Sequence, residues 1–353
     1  MSKYRTIIAQ LMCVMVLISG CAAQSGSGDQ TNQSDSNSTE SAAAENADAA
    51  DESAADEGTE SNSTAGEGTE SNSAAGESAE SKDAAGESAS KDPAEEDKEL
   101  LKYIDAWGEW HTMEVDPTVE KSTYDAQKFA ADENNPQWIT YTGLEYTVLQ
   151  GIDVSEHQGM IDWDAVADEG YSFAFIRVGY RGYGQAGKLC EDSRAVANLQ
   201  EAQEAGLMVG AYFFSQALNE DEAKEEAELA MRMIDESGVQ LDLPLVYDPE
   251  IIKDDEGRAN NITREQVALN TQAFKDAVEN TSAYQVDIYS NLPWEHELFD
   301  ATTLNNYDIW YADYENPPQT PYHFMWWQYS MTGTVPGIEG NVDLDLWMVK
   351  AEE

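Results

Sequence analysis

The stretch LPLVYDPE, residues 243–250, is an apolar run that ends in two carboxylates one residue apart, Asp248 and Glu250. We predict a buried strand here, and because strand side chains alternate between two faces, both carboxylates point the same way. Two carboxylates at one mouth repel, and burial separates their pKa values, so that one holds a proton while the other is charged. A proton donor beside an anion is what cleavage of a glycosidic bond requires.

The same Asp-x-Glu spacing occurs at three other places in this acidic chain, which has 69 Asp and Glu residues. Asp97–Glu99 and Asp254–Glu256 lie in polar segments, where a solvated surface is the simpler interpretation. Asp313–Glu315 follows the apolar run Ile309–Ala312 and therefore remains a competitor on spacing alone. Only the position of each pair in the fold separates them.

Eight apolar runs with the length and composition of strands follow one another from residue 149. They are Leu149–Val154, Phe173–Gly179, Met208–Ser215, Leu245–Glu250, Val286–Ser290, Ile309–Tyr314, Phe324–Ser330 and Asn341–Leu346. Helical patterns separate the first five runs and lie at 163–169, 192–205, 219–236 and 263–279. After Ser290, only the short piece Trp294–Phe299 has a helical pattern.

This order predicts an α/β fold, a TIM-like (β/α) barrel of parallel strands whose irregular later strands lack helices. A doubly wound open sheet is the alternative. Such a sheet usually carries a Gly-rich phosphate loop after its first strand, and Ser155–Gly159 is not one.

Acidic side chains recur where the predicted barrel would have its mouth, because barrel sites lie at the carboxyl ends of strands. The first run carries Asp153, and the fourth ends in Asp248 and Glu250. The last run carries Asp343. We therefore predict that these four acids meet on one rim.

Aromatic and amide side chains accompany the same strand ends, and they suit sugars, which present apolar faces and many hydroxyl groups. The candidate substrate-binding residues are Tyr180, Tyr212, Trp310, Gln158 and Gln328. Core packing is the alternative for the rings, and an amide satisfied within the protein is an equal alternative for the two glutamines.

Other chemistries find little support in the sequence. His157 stands alone near Asp153, and His111, His296 and His323 have no partner four residues away, so we expect no metal and no other cofactor. A Gly-x-Ser-x-Gly nucleophile elbow is missing. The formal net charge is −50, and without a basic stripe nucleic acid is excluded as a partner.

Taken together, these segments resemble glycoside hydrolase family 25, the Chalaropsis-type lysozymes or N-acetylmuramidases. The matching segments, in family order, are Gly151–Gly159 with Asp162-Trp163, Phe173–Gly179, Gly210–Phe214, Asp248–Glu250, Ile309–Ala312, Trp327–Tyr329 and Val342-Asp343. The resemblance covers residues 149–347. It implies a (β/α) barrel that cleaves, with net retention, the β-1,4 bond between N-acetylmuramic acid and N-acetylglucosamine in peptidoglycan.

By position, the resemblance makes Glu250 the proton donor and Asp248 its partner carboxylate. Asp248 then serves either as the nucleophile or as the group that orients the substrate acetamido group. Asp153 and Asp343 match the remaining acids of the family's cleft.

The chain departs from the family pattern in two places. Many members carry Lys-x-Ser/Thr-Glu-Gly after the second strand, where this chain has Arg177–Gly182. Many have Tyr-His-Phe on the third strand, where this chain has Tyr212-Phe213-Phe214. These departures leave the four acids untouched and put individual substrate contacts in doubt.

The chain before residue 149 divides into three parts. Residues 1–20 have the basic start and short apolar core of a secretion signal, and the following Leu17–Cys21 junction resembles a bacterial lipobox. We expect lipidated Cys21 to anchor the protein in the lipid bilayer at the outer face of the cytoplasmic membrane. Residues 21–97 contain acidic decapeptide repeats and predict a disordered tether. Residues 98–148 predict a small accessory segment, with a short helix over Glu99–Trp107, that precedes the catalytic barrel at 149–353.

The sequence thus favours a membrane-tethered peptidoglycan muramidase, and we expect a monomer whose partner is the glycan strand. Two alternatives stay open. One is a non-catalytic surface lipoprotein that binds peptidoglycan or sugars with the same cleft. The other is a surface adhesion protein in which the barrel is only a scaffold.

Overall fold

The computed structural model describes residues 98–253 and 256–351. The predicted signal peptide, the lipidation site Cys21 and the acidic tether lie in residues 1–97, outside the described residues. Within the two described ranges, no helix combines the length and the apolar composition needed to cross a bilayer.

The accessory segment begins with antiparallel hairpins. Their strands are β1 (Leu100–Ile104), β2 (Trp110–Glu114), β3 (Phe129–Ala131) and β4 (Ile139–Tyr141). The predicted helix over Glu99–Trp107 is therefore wrong. Tyr103 is buried while Lys102 is exposed, and Leu101 is half-buried, which is the two-residue period of a strand and not the period of a helix.

Eight strands close into a barrel, as predicted. The barrel strands and one appended strand, β7, are β5 (Tyr146–Val154), β6 (Phe173–Arg181), β7 (Leu189–Glu191), β8 (Met208–Ser215), β9 (Leu245–Pro249), β10 (Val286–Asn291), β11 (Ile309–Ala312), β12 (Trp326–Gly333) and β13 (Val342–Lys350). Around the ring the order is β5-β6-β8-β9-β10-β11-β12-β13, and β13 pairs with β5 to close it. β7 pairs only with the end of β6.

The direction of the last strand corrects the prediction of an all-parallel barrel. The ring strands from β5 to β12 are parallel to their neighbours, whereas β13 is antiparallel to both β12 and β5. The connection from β12 to β13 spans residues 334–341 and contains no helix. The chain therefore turns back instead of crossing over. As a result, the start of β13 lies at the edge where the parallel strands end.

Helices cover the outside of the early strands. They are α1 (Trp163–Glu169), α2 (Ala195–Glu204), α3 (Glu220–Ser237), α4 (Arg264–Glu279), α5 (Leu292–Glu297) and α6 (Ala301–Asn306). Two short helices, α5 and α6, follow β10, where the sequence predicted one piece over Trp294–Phe299. The connections after β11 and after β12, both described throughout, contain no helix.

Local capping sets the boundaries of the two longest helices. The Asn219 side chain accepts hydrogen bonds from the backbone N–H groups of Asp221 and Glu222 at the start of α3. Gly238, with a φ of +68°, ends α3 in the left-handed conformation that favours glycine. Thr263 caps α4 through the backbone N–H of Gln266.

The alternation of strand side chains builds an inner and an outer apolar layer. The barrel interior is filled mainly by rings and holds Leu149, Phe173, Phe175, Tyr212, Val246, Tyr289, Trp310, Trp326 and Trp347. The outer layer packs beneath the helices and the hairpins. There Phe129 of β3 contacts Trp327 of β12, with ring centroids 5.3 Å apart. The accessory segment therefore shares the outer core of the barrel, where burying each large apolar side chain stabilises the fold by about 1.5–3 kcal/mol.

Candidate active site

The four predicted acids lie at one edge of the barrel, on the neighbouring strands β5 and β13 and at the end of β9, which lies across the ring from them. Asp153 lies near the end of β5, and Asp248 and Glu250 lie at the end of β9 and just past it. Asp343 is near the start of β13, and the antiparallel register places it directly opposite Asp153. Side chains opposed in this way share one face, with Cβ atoms about 4.5–5.5 Å apart.

The alternation along β9 directs Asp248 into the barrel. Val246 belongs to the inner layer and Tyr247 to the outer one, so the next inward side chain is Asp248. Asp248 is only 4% exposed, whereas Glu250 is half-buried. Gln216 Nε2 donates a hydrogen bond of 2.6 Å to the backbone oxygen of Glu250, which holds the chain just beyond the strand end.

Two tyrosines, the buried Tyr289 and the half-buried Tyr314, lie within reach of the charges of the acids, and each of the four acids acts on at least one of them. Burial raises the pKa of Tyr289 and the pKa of Tyr314 well above the usual tyrosine value. The acids whose charges add to this increase are Glu250, Asp248 and Asp153 for Tyr289, and Asp343, Asp153, Glu250 and Asp345 for Tyr314. Such interactions weaken with distance, so the acids and the two rings form one cluster.

Gln328, predicted as a sugar ligand, is engaged with the cluster itself. Its Nε2 donates to Asp153 Oδ2 at 2.9 Å. Its Oε1 accepts from the hydroxyl groups of Tyr289 and Tyr314, at 3.1 and 3.0 Å. Because the Oε1 atom accepts these two hydrogen bonds, the amide orientation is fixed and its NH2 group faces the Asp153 carboxylate. Gln328 therefore orients Asp153.

Trp310, also predicted as a sugar ligand, lies beneath the mouth. It is 1% exposed and stacks on Phe175, with ring centroids 4.8 Å apart. Tyr212 lies beside it at 5.6 Å and is 9% exposed, which puts this ring nearer the surface of the cleft. Trp310 thus forms the floor of the cleft and reaches a substrate only through its neighbours.

A further acid, Asp345, lies in this floor and was not among the predicted site residues. Its Oδ1 accepts a hydrogen bond of 2.8 Å from Trp310 Nε1. Burial raises the pKa of Asp345 to about 8, so it is protonated at neutral pH. The sequence contains a signal for this residue, because Asp345 is two positions after Asp343 and so points to the same face of the strand. Tyr314 was also missed, and the same two-residue period places it on the face of Trp310.

Tyr180 and Gln158 lie over the ends of β5 and β6. The Arg177 guanidinium lies 5.0 Å from the centre of the Tyr180 ring, and Arg177 Nε donates to Asp192 Oδ2 at 2.9 Å. Gln158 Oε1 accepts the backbone N–H of Ser155 at 2.9 Å and closes a capping box. The Gln158 amide is therefore used locally, and Tyr180 packs on the Arg177–Asp192 ion pair at the end of β6.

The competing pair, Asp313 and Glu315, faces a different environment. Asp313 accepts hydrogen bonds from the Tyr311 hydroxyl at 2.9 Å and from the backbone N–H of Gln319 at 2.7 Å. Tyr311 belongs to the outer layer, and Glu315 is exposed. This pair therefore organises the loop after β11 and does not join the cluster.

Potential metal ligands do not gather elsewhere in the described ranges. Among residues 98–253 and 256–351, no group of three or more His, Cys, Asp or Glu side chains is arranged to hold a metal ion.

Glycoside hydrolysis uses a pair of carboxyl groups, and a closed barrel of eight strands with several carboxyl groups at the strand ends can supply such a pair. Comparison with known families agrees, since the family model described as "Glycosyl hydrolases family 25" matches residues 152–338. The chain belongs to this family.

Similar proteins include an uncharacterised one and a lytic one. The chain is 32% identical over 216 residues to the "Uncharacterized protein YegX" of Escherichia coli strain K12, a match that covers 59% of this chain and 72% of that protein. It is 27% identical over 198 residues to the "Autolytic lysozyme" of Clostridium acetobutylicum, covering 56% of this chain and 55% of that protein.

Among solved structures, the chain is similar to the modular autolysin LytC from Streptococcus pneumoniae in complex with a synthetic peptidoglycan ligand. The TM-score is 0.52 at 25% identity. The match covers 70% of this chain and 56% of the autolysin chain, so this protein spans little more than half of that relative.

Proposed function

We propose that this protein is a muramidase that hydrolyses the β-1,4 bond between N-acetylmuramic acid and N-acetylglucosamine in peptidoglycan. The observation that carries the proposal is the meeting of Asp153, Asp248, Glu250 and Asp343 in one mouth of a family 25 barrel. The relatives named as a lysozyme and as an autolysin with a peptidoglycan ligand support the substrate.

In this proposal, Glu250 is the general acid. It is half-buried, at the end of the strand, where a substrate oxygen has access to it. Like charges in one site cannot all form easily, so one carboxyl group of such a cluster can hold the proton that the reaction needs. Glu250 gives its proton to the glycosidic oxygen as the bond to the anomeric carbon breaks, and it recovers a proton from the water that completes hydrolysis.

Asp248 is the charged partner. It is almost fully buried beside Glu250, so its negative charge acts in a medium of low polarity, where it stabilises positive charge strongly. Asp248 stabilises the oxocarbenium-like centre, either directly or through the substrate acetamido group. Asp153, held by Gln328, and Asp343 opposite it line the remaining side of the cleft.

The test is Glu250→Gln, which keeps the shape of the side chain and removes the proton donor. Release of reducing ends from purified peptidoglycan should fall by about 10²–10⁴-fold, the usual contribution of a general acid. Glu315→Gln is the matched control, since it makes the same change at the exposed Glu of another Asp-x-Glu pair after a strand. If both variants are folded and Glu250→Gln releases reducing ends as fast as the unmodified protein, the assignment of Glu250 as the general acid is wrong.

Mass spectrometry of the released fragments then identifies the bond. A new reducing end on N-acetylmuramic acid supports the proposal, whereas a reducing end on N-acetylglucosamine contradicts it. Binding of peptidoglycan by the unmodified protein without any release would favour the non-catalytic lipoprotein.

A further inference from the structure

The hairpin of β1 and β2 lies over the catalytic edge of the barrel. Gln319, in the loop after β11, exchanges two hydrogen bonds of 2.9 Å with the backbone of Ile104 at the end of β1. In the turn of the hairpin, the Trp107 ring centre lies 3.6 Å from Lys253 Nζ. Lys253 follows Glu250 by three residues. The hairpin is thus fixed to two loops that leave the carboxyl ends of parallel strands.

This short distance along the chain limits how far the hairpin is from the cleft. A chain advances at most ~3.6 Å per residue, so the Cα atoms of Glu250 and Lys253 are no more than about 11 Å apart. Trp107, in contact with the Lys253 side chain, therefore lies on the same edge of the barrel as Glu250.

The hairpin exposes two large rings. Trp107 is 60% exposed and Trp110 is 61% exposed. All nine tryptophans of the chain lie in described residues, and the other seven are buried or half-buried. Exposed tryptophans that lie close together beside a cleft are unusual for a surface that contacts only water, and they are typical of recognition surfaces.

The rings are presented on a rigid support. Asp105 Oδ1 accepts the backbone N–H groups of Trp107 and Glu109, both at 2.9 Å, and so fixes the turn. Tyr103 and His111 stack on each other across the strands, with ring centroids 5.3 Å apart. A surface that is ordered before binding loses less conformational entropy when a ligand arrives.

Each exposed ring carries an ammonium group. Lys253 lies against Trp107, and Lys102 lies over Trp110 at 4.5 Å. An ammonium group on one ring face leaves the other face available for the apolar face of a sugar. The positive charges also complement the carboxylates of the peptide stems that a peptidoglycan strand carries. In a chain with only 19 Lys and Arg residues, this pairing of both rings with lysine is a distinctive local feature.

We propose that the β1–β2 hairpin is an outer subsite that binds the peptidoglycan glycan strand as it leaves the cleft, with Trp107 and Trp110 as its contact residues. The inference rests on the proposed muramidase function. The hairpin precedes residues 152–338, the part of the chain matched by the family model.

The first experiment measures binding without catalysis. In the Glu250→Gln background, Trp107→Ala with Trp110→Ala should raise the Kd for insoluble peptidoglycan by about fivefold or more, the effect of losing a contact residue worth over 1 kcal/mol. Leu144→Ala, at a side chain 92% exposed in another loop, is the control and should leave the Kd unchanged. An unchanged Kd for the double variant overturns the inference.

The second experiment uses the active protein on substrates of two lengths. The double tryptophan variant should lose about fivefold or more in kcat/KM on long glycan strands and keep kcat/KM on a short soluble fragment that ends within the cleft. Trp107→Phe with Trp110→Phe should restore most of the loss, because it returns aromatic faces. Equal losses on both substrates would mean that the hairpin only supports the cleft, and this overturns the subsite. If the unmodified protein binds through the hairpin and cleaves neither substrate, the muramidase proposal fails and the hairpin site stands.

Discussion

Asp345→Asn is expected to stabilise this protein at neutral pH. Asp345 is fully buried in the barrel, and burial raises its pKa from 3.8 to about 8. The folded protein therefore keeps the carboxyl protonated through neutral pH, while the unfolded chain loses the proton above about pH 3.9. The pKa of Asp345 is higher in the folded protein than in the unfolded chain. The contribution of Asp345 to the free energy of unfolding is therefore fully present below the pKa of the unfolded chain, and it is lost as the pH rises toward about 8.

The size of the effect follows from the separation of the two pKa values. Each pH unit between them reduces the free energy of unfolding by about 1.4 kcal/mol, so the loss from about pH 4 to about pH 7 is about 4 kcal/mol. Asparagine has nearly the same shape, stays neutral, and offers an oxygen to accept the Trp310 Nε1 hydrogen bond. The variant should therefore gain up to about 4 kcal/mol at about pH 7 and little at about pH 4.

Urea unfolding of both proteins at the two pH values measures this difference. Comparison with the unmodified protein is essential, because Asp287, Glu295 and Glu226 are also buried acids, with pKa values raised by burial to about 8, about 8 and about 7. Their contributions are common to both proteins and cancel in the difference. A variant that is less stable at neutral pH, or that keeps the full pH slope, would refute the reasoning.

Two further predictions concern the cleft and the lipid anchor predicted from the sequence. Gln328→Met should lower kcat/KM on purified peptidoglycan by about tenfold or more. The reason is that Gln328 Nε2 orients Asp153, and a hydrogen bond to a charged group is worth about 1.5–3 kcal/mol. Unchanged kcat/KM in a folded variant would contradict this role. Cys21→Ser should abolish incorporation of a labelled fatty acid and move the protein from the membrane fraction to the medium, and a variant that stays labelled would exclude lipidation of Cys21.

The strands of the barrel were predictable because their signal is local. Each of the eight apolar runs overlaps a ring strand, with differences of up to four residues at the ends, since a strand buried on both faces needs a continuous apolar sequence. The segment Glu99–Trp107 shows the limit of this approach. Its aromatic and aliphatic residues are compatible with a helix or a strand. It forms a strand because it pairs with residues 110–114, and no local pattern specifies this contact.

The acids at the mouth were predictable as a set, whereas their hydrogen-bond partners were not. A carboxylate at the end of an apolar run is visible in the sequence. By contrast, Gln328 contacts Asp153 across 175 positions of the chain, and Trp310 contacts Asp345 across 35. Such contacts depend on the register between strands, which is fixed only when the ring closes. For this reason the sequence suggested Gln328 and Trp310 as sugar ligands, while the structure uses them to hold acids.

The reversal of β13 explains why Asp343 lies in the cleft at all. Asp343 is the second of the nine residues in β13. If β13 were parallel to its neighbours, Asp343 would lie at the amino end of the strands, on the side of the barrel opposite the mouth. The remaining seven residues would then separate it from the mouth by roughly 23 Å at ~3.3 Å per residue. Because β13 runs antiparallel, its start lies at the mouth and Asp343 is opposite Asp153. The rule that sites lie at the carboxyl ends of strands holds for Asp153 and Asp248. Asp343 lies at the same edge of the barrel, but at the amino end of its strand. This is possible because no crossover helix connects β12 to β13, so β13 turns back and runs antiparallel.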